Sequence, residues 1–284
     1  MTRGEAAPAV ESPVVDAHAH IYSANMPVSS SAWFRPGHAF TAEQYLDVLD
    51  AHGVQFGVIA GISIFGTYND YMIAQLRRYR RLRGTAIVDR TTDRYALERM
   101  KADGIVGIRL QLTRQDLPDL AGDEYRILFR RLADLDLHIE VVVEGPRWPQ
   151  VLPHLESSGA KIVIDHFGHP DPQAGIHCTG FQAVLRSVEQ GRTWVKLSAP
   201  FRLTWAAPGL AQRDPKSVTL AREVAQCLLE NAGTERLVWG SDCPFIGHEA
   251  TQSFGDALKE LGTWIPDARM RRELSDTALK LYFS

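Results

Sequence analysis

The chain of 284 residues predicts an α/β fold, a single (β/α)8 TIM barrel, and three observations carry that reading. Eight short apolar, β-branched runs recur with helical patterns between them. No composition break, long linker or internal repeat interrupts the alternation, as one domain of this architecture requires. Polar residues gather where the apolar runs end, and a barrel of this kind collects its chemistry at the C-terminal ends of its strands. The competing open, doubly wound sheet would carry a Gly-rich phosphate loop after its first strand, where this chain has His18-Ala19-His20.

The first strand covers 14–18, and a side-chain period of two puts Asp16, His18 and His20 on one face with the imidazoles side by side. A helix follows from Thr41, where Thr41-Ala42-Glu43-Gln44 fits a capping box, and stops before Gly53. The second strand takes 54–60 and its helix 69–82; the third takes 84–89 and its helix 93–102. Strands at 104–112 and 138–143 precede helices at 123–136 and 148–157. Strand 161–166, helix 181–189, strand 193–198, helix 217–231 and strand 236–242 follow. Several of these strands are nearly continuous in apolar residues, as parallel strands covered on both faces should be. Helices at 254–261 and 266–281, the second opened by Pro266, close the chain. Residues 1–12 are small, polar and Pro-containing without an apolar centre, so they read as a flexible tail, neither signal peptide nor transmembrane segment, ahead of one catalytic domain at 13–284.

A net charge of −3 argues against a general nucleic-acid or membrane-surface binder. Arg outnumbers Lys by 25 to 6, which points instead to anionic small ligands. Cys178, Cys227 and Cys243 are odd in number and unpatterned, so neither a disulfide frame nor a thiolate metal site is expected, and a reducing, cytoplasmic setting is.

Taken in order, the strand ends supply His18 and His20, Ser63, Asp89, Arg109 with Gln111, Glu140 and Glu144, Asp165 with His166, Lys196 with Ser198, Arg202, and Asp242. Several have ordinary explanations: Asp89 can cap a helix, Lys196 can be solvated, and Glu140 can pair with a neighbouring Arg. Arg109 differs because it interrupts a strand that should otherwise be fully buried. A buried guanidinium requires an anion, either a protein carboxylate or a bound one. Arg202, just after the seventh strand, would face the barrel mouth and could fork onto a second carboxylate.

The chain resembles the amidohydrolase superfamily, in the branch of lactonases acting on 2-pyrone-4,6-dicarboxylate, muconolactones and sugar acids. The resemblance rests on Val-Asp-Ala-His-Ala-His at 15–20, Gly-Thr-Tyr-Asn-Asp at 66–70, Gly-Ile-Arg at 107–109, Ile-Asp-His-Phe-Gly-His-Pro at 164–170, Val-Lys-Leu-Ser-Ala-Pro-Phe-Arg at 195–202 and Trp-Gly-Ser-Asp-Cys-Pro at 239–244. It implies that Asp242 is the general base activating water and that His18, His20 and His166 orient or polarise a lactone carbonyl. It also implies that Arg109 and Arg202 hold substrate carboxylates, with Ser63, Tyr68, Arg114 and His169 as further substrate-binding residues. Three departures matter: His169 stands where the branch has an Arg, Arg114 has a shifted spacing, and Val142 replaces a Tyr. A carboxylated lactone is therefore the expected partner, with fewer or differently placed carboxylates and with Trp33, Phe34, His38, Tyr68 and His169 shaping specificity. Oligomeric state is left open.

Many superfamily members bind zinc, but Arg109 occupies the position of their strand-four lysine, and strand five offers no suitable His beyond His138 at its start. No cofactor is the favoured reading. A mononuclear zinc or other divalent site from His18, His20, His166 and Asp242 is the alternative. With a metal, a decarboxylase of the same superfamily becomes the rival function; lactone isomerisation is a close relative of the favoured chemistry. The Arg-rich run at 77–83 could bind phosphate in a deoxyribonuclease-like hydrolase, but in a slightly acidic chain it reads better as an exposed helix end. A decayed barrel that only binds sugar acids fits poorly with retention of His18, His20, His166 and Asp242 together.

Overall fold

The computed structural model describes residues 13–204 and 214–284. The expected tail at 1–12 lies outside the described residues. Eight parallel strands follow one another around a barrel in chain order: β1 (Val15–Ala19), β2 (Phe56–Ala60), β3 (Leu82–Ala86), β4 (Ile105–Gln111), β5 (His138–Val142), β6 (Ile162–Ile164), β7 (Thr193–Ser198) and β8 (Leu237–Gly240). The ring closes where Ala19 bridges Cys243: His20 N–H donates to the Cys243 carbonyl and Asp242 N–H to the His18 carbonyl, both at 2.7 Å. Closure brings the two ends of the chain's motif set together, which an open sheet would not do.

The strands are sheathed by α1 (Ala42–Ala51), α2 (Asp70–Arg78), α3 (Arg94–Ala102), α4 (Asp123–Asp134), α5 (Trp148–Glu156), α6 (Thr179–Glu189), α7 (Pro215–Ala232), α8 (Phe254–Trp264) and α9 (Ala268–Tyr282). The capping box at Thr41 and Gln44 opens α1 as expected. Tyr282, at the end of α9, seals the N-terminal mouth of the barrel by packing on Val15, Ala17, Val58 and Val238. Chemistry is thereby confined to the opposite mouth. Among the described residues, no helix is long and apolar enough to cross a membrane.

Three local expectations are corrected. The helix expected at 69–82 stops at Arg78 because Leu82, fully buried, opens β3. The Arg-rich run therefore spans a helix end and a strand start, with Arg77 paired to Asp103, Arg78 to Glu43 and Arg81 to Asp50. Asp89 lies beyond β3, in a turn where its carboxylate accepts from Thr91 N–H and Oγ1–H.

The third correction concerns the first strand. Asp16 pairs with Gly57 and Ala19 with Ile59, three residues against two, so β1 carries a bulge between them. The bulge breaks the period of two. Asp16 turns outward to accept from the Tyr45 hydroxyl of α1 at 2.9 Å, while His18 and His20 both face the lumen. The three residues do not share a face.

Candidate active site

Inward-facing residues at the C-terminal ends of the strands form two polar layers. The lower one is buried. Register sets Arg109 of β4 beside Glu140 of β5, and the guanidinium meets Glu140 Oε1 at 3.1 Å, Asp165 Oδ2 at 2.9 Å and the Gly61 carbonyl at 2.7 Å. Lys196 of β7, fully buried, sits 2.6 Å from Glu140 Oε2 and 3.0 Å from His18 Nδ1. Two cations thus face two carboxylates, which is how charges this deep are tolerated. Burial pushes the carboxyls of Glu140 and Asp165 up, but Lys196 holds both below their ordinary values, helped by His138 at Glu140 and by His18 and Arg109 at Asp165. Arg109, expected to seek either a protein or a bound carboxylate, has protein carboxylates as its partners.

Above this layer Asp242 is the central group. Its Oδ1 lies 3.2 Å from His20 Nε2 and 3.5 Å from His18 Nε2, and its Oδ2 accepts from Arg202 Nε at 2.7 Å. Burial pushes the Asp242 carboxyl up, yet Arg202 and the neighbouring imidazoles hold it well below the usual carboxylate range. The group is ionised throughout neutral pH. Its Oδ1 has no hydrogen bond, nor does His18 Nε2; both are buried and turned toward each other. His20 donates through Nδ1 to the Ala60 carbonyl at 2.8 Å, and His166 Nδ1 lies 2.9 Å from Ser198 Oγ. Gly240 is required here, since a Cβ on it would stand 2.5 Å from the Cβ of His18.

Backbone conformation also marks this mouth of the barrel. Arg114, His166, Phe167, His169, Ala199 and Asp242 all adopt left-handed φ angles between 45° and 64°. Each costs on the order of 1 kcal/mol for a non-glycine residue. Surrounding bonds hold them there: Trp148 Nε1–H donates to the Gly168 carbonyl at 2.7 Å, and Glu144 accepts from the Arg114 N–H at 2.8 Å. Asp16 contributes from outside the barrel by accepting from Ser241 N–H and Oγ–H, on the residue preceding Asp242.

Burial raises the carboxyl of Asp16 from 3.8 to about 6. Because the folded value is raised, the unfolded chain ionises first, and the fold loses roughly 3 kcal/mol as pH climbs from about 4 through about 6. Asp16→Asn is therefore expected to flatten this segment of the stability profile. Urea midpoints of both proteins at pH 4 and pH 7 check it; an unchanged slope would count against this role for Asp16.

The open cavity over Asp242 is lined by His20, Trp33, Ile62, Ser63, Arg109, Gln111, Thr113, Arg114, Val142, His166, His169, Arg202, Asp242, Ile246 and His248. Ser63, Arg109, Arg114, Arg202, His20, His166, His169 and Asp242 are thus brought together, with His18 directly beneath. Tyr68 is not brought in: it packs with Tyr22, Ile64, Phe65 and Ile246, alongside Phe34, in an apolar cluster beside the cavity. His38 stacks near Tyr22 and likewise does not line it. The sequence reading missed His248, Thr113, Ile62 and Ile246; nothing in their spacing marks them. Arg114 is the least committed cation. Its guanidinium lies 4.3 Å above the Trp33 ring, and among the described residues no carboxylate pairs with it.

For a metal, His18, His166 and Asp242 each offer a ligand atom within 4.8 Å of the others, and the unbonded His18 Nε2 and Asp242 Oδ1 fit one small cation. His20 is not part of that group. The second cluster, His18 with Glu140 and Asp165, already encloses the ammonium of Lys196, so a binuclear centre does not fit. A divalent cation at the first position would polarise a carbonyl and acidify a bound water.

Comparison with known proteins agrees with this architecture. A 2-pyrone-4,6-dicarboxylate hydrolase of Comamonas testosteroni is 24% identical over 234 residues, covering 81% of this chain and 76% of the relative. A 4-sulfomuconolactone hydrolase of Rhizobium radiobacter is 24% identical over 278 residues, covering 94% and 89%. An Acinetobacter baumannii protein, provisionally described as a 2-pyrone-4,6-dicarboxylic acid hydrolase and solved with citric acid bound, superposes with a TM-score of 0.88 at 29% identity over 95% of this chain and 99% of that one. Residues 15–283 match the amidohydrolase family, and the chain belongs to it.

Proposed function

We propose that the protein is a hydrolase that opens a carboxylated lactone by attack of water. The observation that carries this reading is Asp242: an ionised carboxylate with one unbonded oxygen, on the floor of a cavity ringed by imidazoles and arginines. Asp242 takes a proton from water as the oxygen attacks the lactone carbonyl, and His18, His20 and His166 stand within reach of the developing oxyanion. The acyl C–O bond then breaks, and the departing ring oxygen takes the proton from Asp242, leaving a hydroxy acid or its enol equivalent. Neither step needs a cofactor.

Arg202 and Arg114 suit the substrate's carboxylates. In the free protein Arg202 is engaged with Asp242. A substrate carboxylate that shares Arg202 weakens the pairing and raises the proton affinity of Asp242 at the moment a base is needed. The anionic character of the relatives' named substrates supports this assignment. A reducing compartment agrees with the three unpaired cysteines, Cys178, Cys227 and Cys243.

The test is ring opening, followed by proton release, with a panel of mono- and dicarboxylated lactones that includes 2-pyrone-4,6-dicarboxylate. Opening of at least one carboxylated lactone, and no action on its methyl ester, is expected. Decarboxylation or ring isomerisation without net hydrolysis would replace this reading. In the same assay Arg114→Met is expected to raise KM about 10- to 100-fold with kcat little changed, the effect of losing one charged hydrogen-bonded partner. An unchanged KM would remove Arg114 from the binding site.

A further inference from the structure

We infer that Lys196 is a positioning residue that locks His18 in the tautomer with its proton on Nε2, so that His18 meets the substrate as a hydrogen-bond donor. The inference deepens the lactonase reading and, for its catalytic consequence, rests on it.

Lys196 is fully buried on β7, with Nζ 2.6 Å from Glu140 Oε2, 3.4 Å from Asp165 Oδ1 and 3.0 Å from His18 Nδ1. An ammonium carries three protons and no lone pair, so toward Nδ1 it can only donate. Nδ1 must then present its lone pair. The competing arrangement would have Nδ1–H donate to Asp165 Oδ1 at 3.2 Å, but an Nδ1 proton would then oppose the protons of the nearer ammonium, at 3.0 Å, which has no lone pair to receive it. With its lone pair committed to the ammonium, Nδ1 carries no proton, so the ring is neutral and has a single proton to place. That proton falls on Nε2, the nitrogen left without a protein partner, 3.5 Å from Asp242 Oδ1.

The consequence is chemical. A protonated Nε2 can donate to a lactone carbonyl oxygen and cannot ligate a cation. His166 carries no such instruction, because its Nδ1 faces the hydroxyl of Ser198, which can donate or accept. Lys196 therefore selects hydrogen-bond catalysis over metal ligation at a cluster whose residue types would serve either.

The experiment is 15N NMR of the full chain labelled in its histidines, at neutral pH without substrate. His18 is assigned by difference against His18→Gln. A pyridine-type Nδ1 and a pyrrole-type Nε2 are expected; a pyrrole-type Nδ1 in the unmutated protein overturns the inference and leaves the lactonase reading intact. Lys196→Met alone strands two carboxylates, so it is paired with Glu140→Gln, which keeps the cluster neutral. Glu140→Gln by itself retains the ammonium and should keep the tautomer.

The double variant should move the proton to Nδ1, tighten zinc binding at least about 10-fold in calorimetric titration, and lower kcat roughly 10²-fold with KM changed less than about 3-fold, the loss of one oxyanion donor. An unchanged tautomer in the double variant, or a changed one in Glu140→Gln, also overturns it. If no lactone is opened, the spectra and the zinc titration still decide the role of Lys196.

Discussion

Asp242→Asn is expected to lower kcat for lactone opening by about 10³-fold or more while KM moves only a few-fold. The substitution keeps the shape of the side chain but removes the ability to take a proton from water. Ionisation of the base is not the bottleneck, since Arg202 and the imidazoles hold Asp242 below the usual carboxylate range despite its burial. The acid limb of kcat/KM should therefore lie below that of an ordinary carboxylate. Steady-state kinetics with ligand binding measured separately checks both statements. Full activity in Asp242→Asn would remove this residue from the mechanism, and a large loss of binding would make it a substrate contact.

The second large effect is expected at Arg202→Met, with kcat/KM reduced about 10²- to 10³-fold. Two losses combine there. A fork for a substrate carboxylate disappears, and Asp242, fully buried, loses its closest cation. An uncompensated buried charge costs about 3 kcal/mol or more, so the melting temperature should fall as well. With the guanidinium gone, Asp242 binds its proton more tightly and the acid limb moves to higher pH. Arg202→Lys should restore stability but only part of the rate, because an ammonium cannot fork onto a carboxylate. Mono- and dicarboxylated lactones compared side by side provide the check: an equal loss on both, with no change in the acid limb, would contradict the carboxylate-binding role.

Much of the barrel is legible in the sequence because parallel strands buried on both faces must be apolar runs, and helices between them must be amphipathic. The strand-end residues His18, His20, Arg109, His166, Arg202 and Asp242 are legible for a related reason: a polar group at the end of a buried run has few structural explanations. The bulge in β1 is not legible, since one inserted residue leaves no compositional mark, and the shared face assigned to Asp16 and His18 failed on it. Lys196 reads as an ordinary polar strand residue until closure brings it to His18, 178 positions away in the chain, and to Glu140, 56 away. Tyr68, Phe34 and His38 belong to connecting loops, where placement depends on packing rather than period. Asp89 read as a strand end because Ile87 and Val88 extend the apolar pattern past the point where β3 stops.

The most direct measurement of the central claim is the rate of carboxylated-lactone opening by protein stripped of metal with a chelator and verified metal-free by elemental analysis. The account predicts an undiminished rate, with Asp242 as base and His18 Nε2 as a donor to the oxyanion. A rate lost on stripping and recovered on adding zinc would contradict it and turn His18, His166 and Asp242 into ligands.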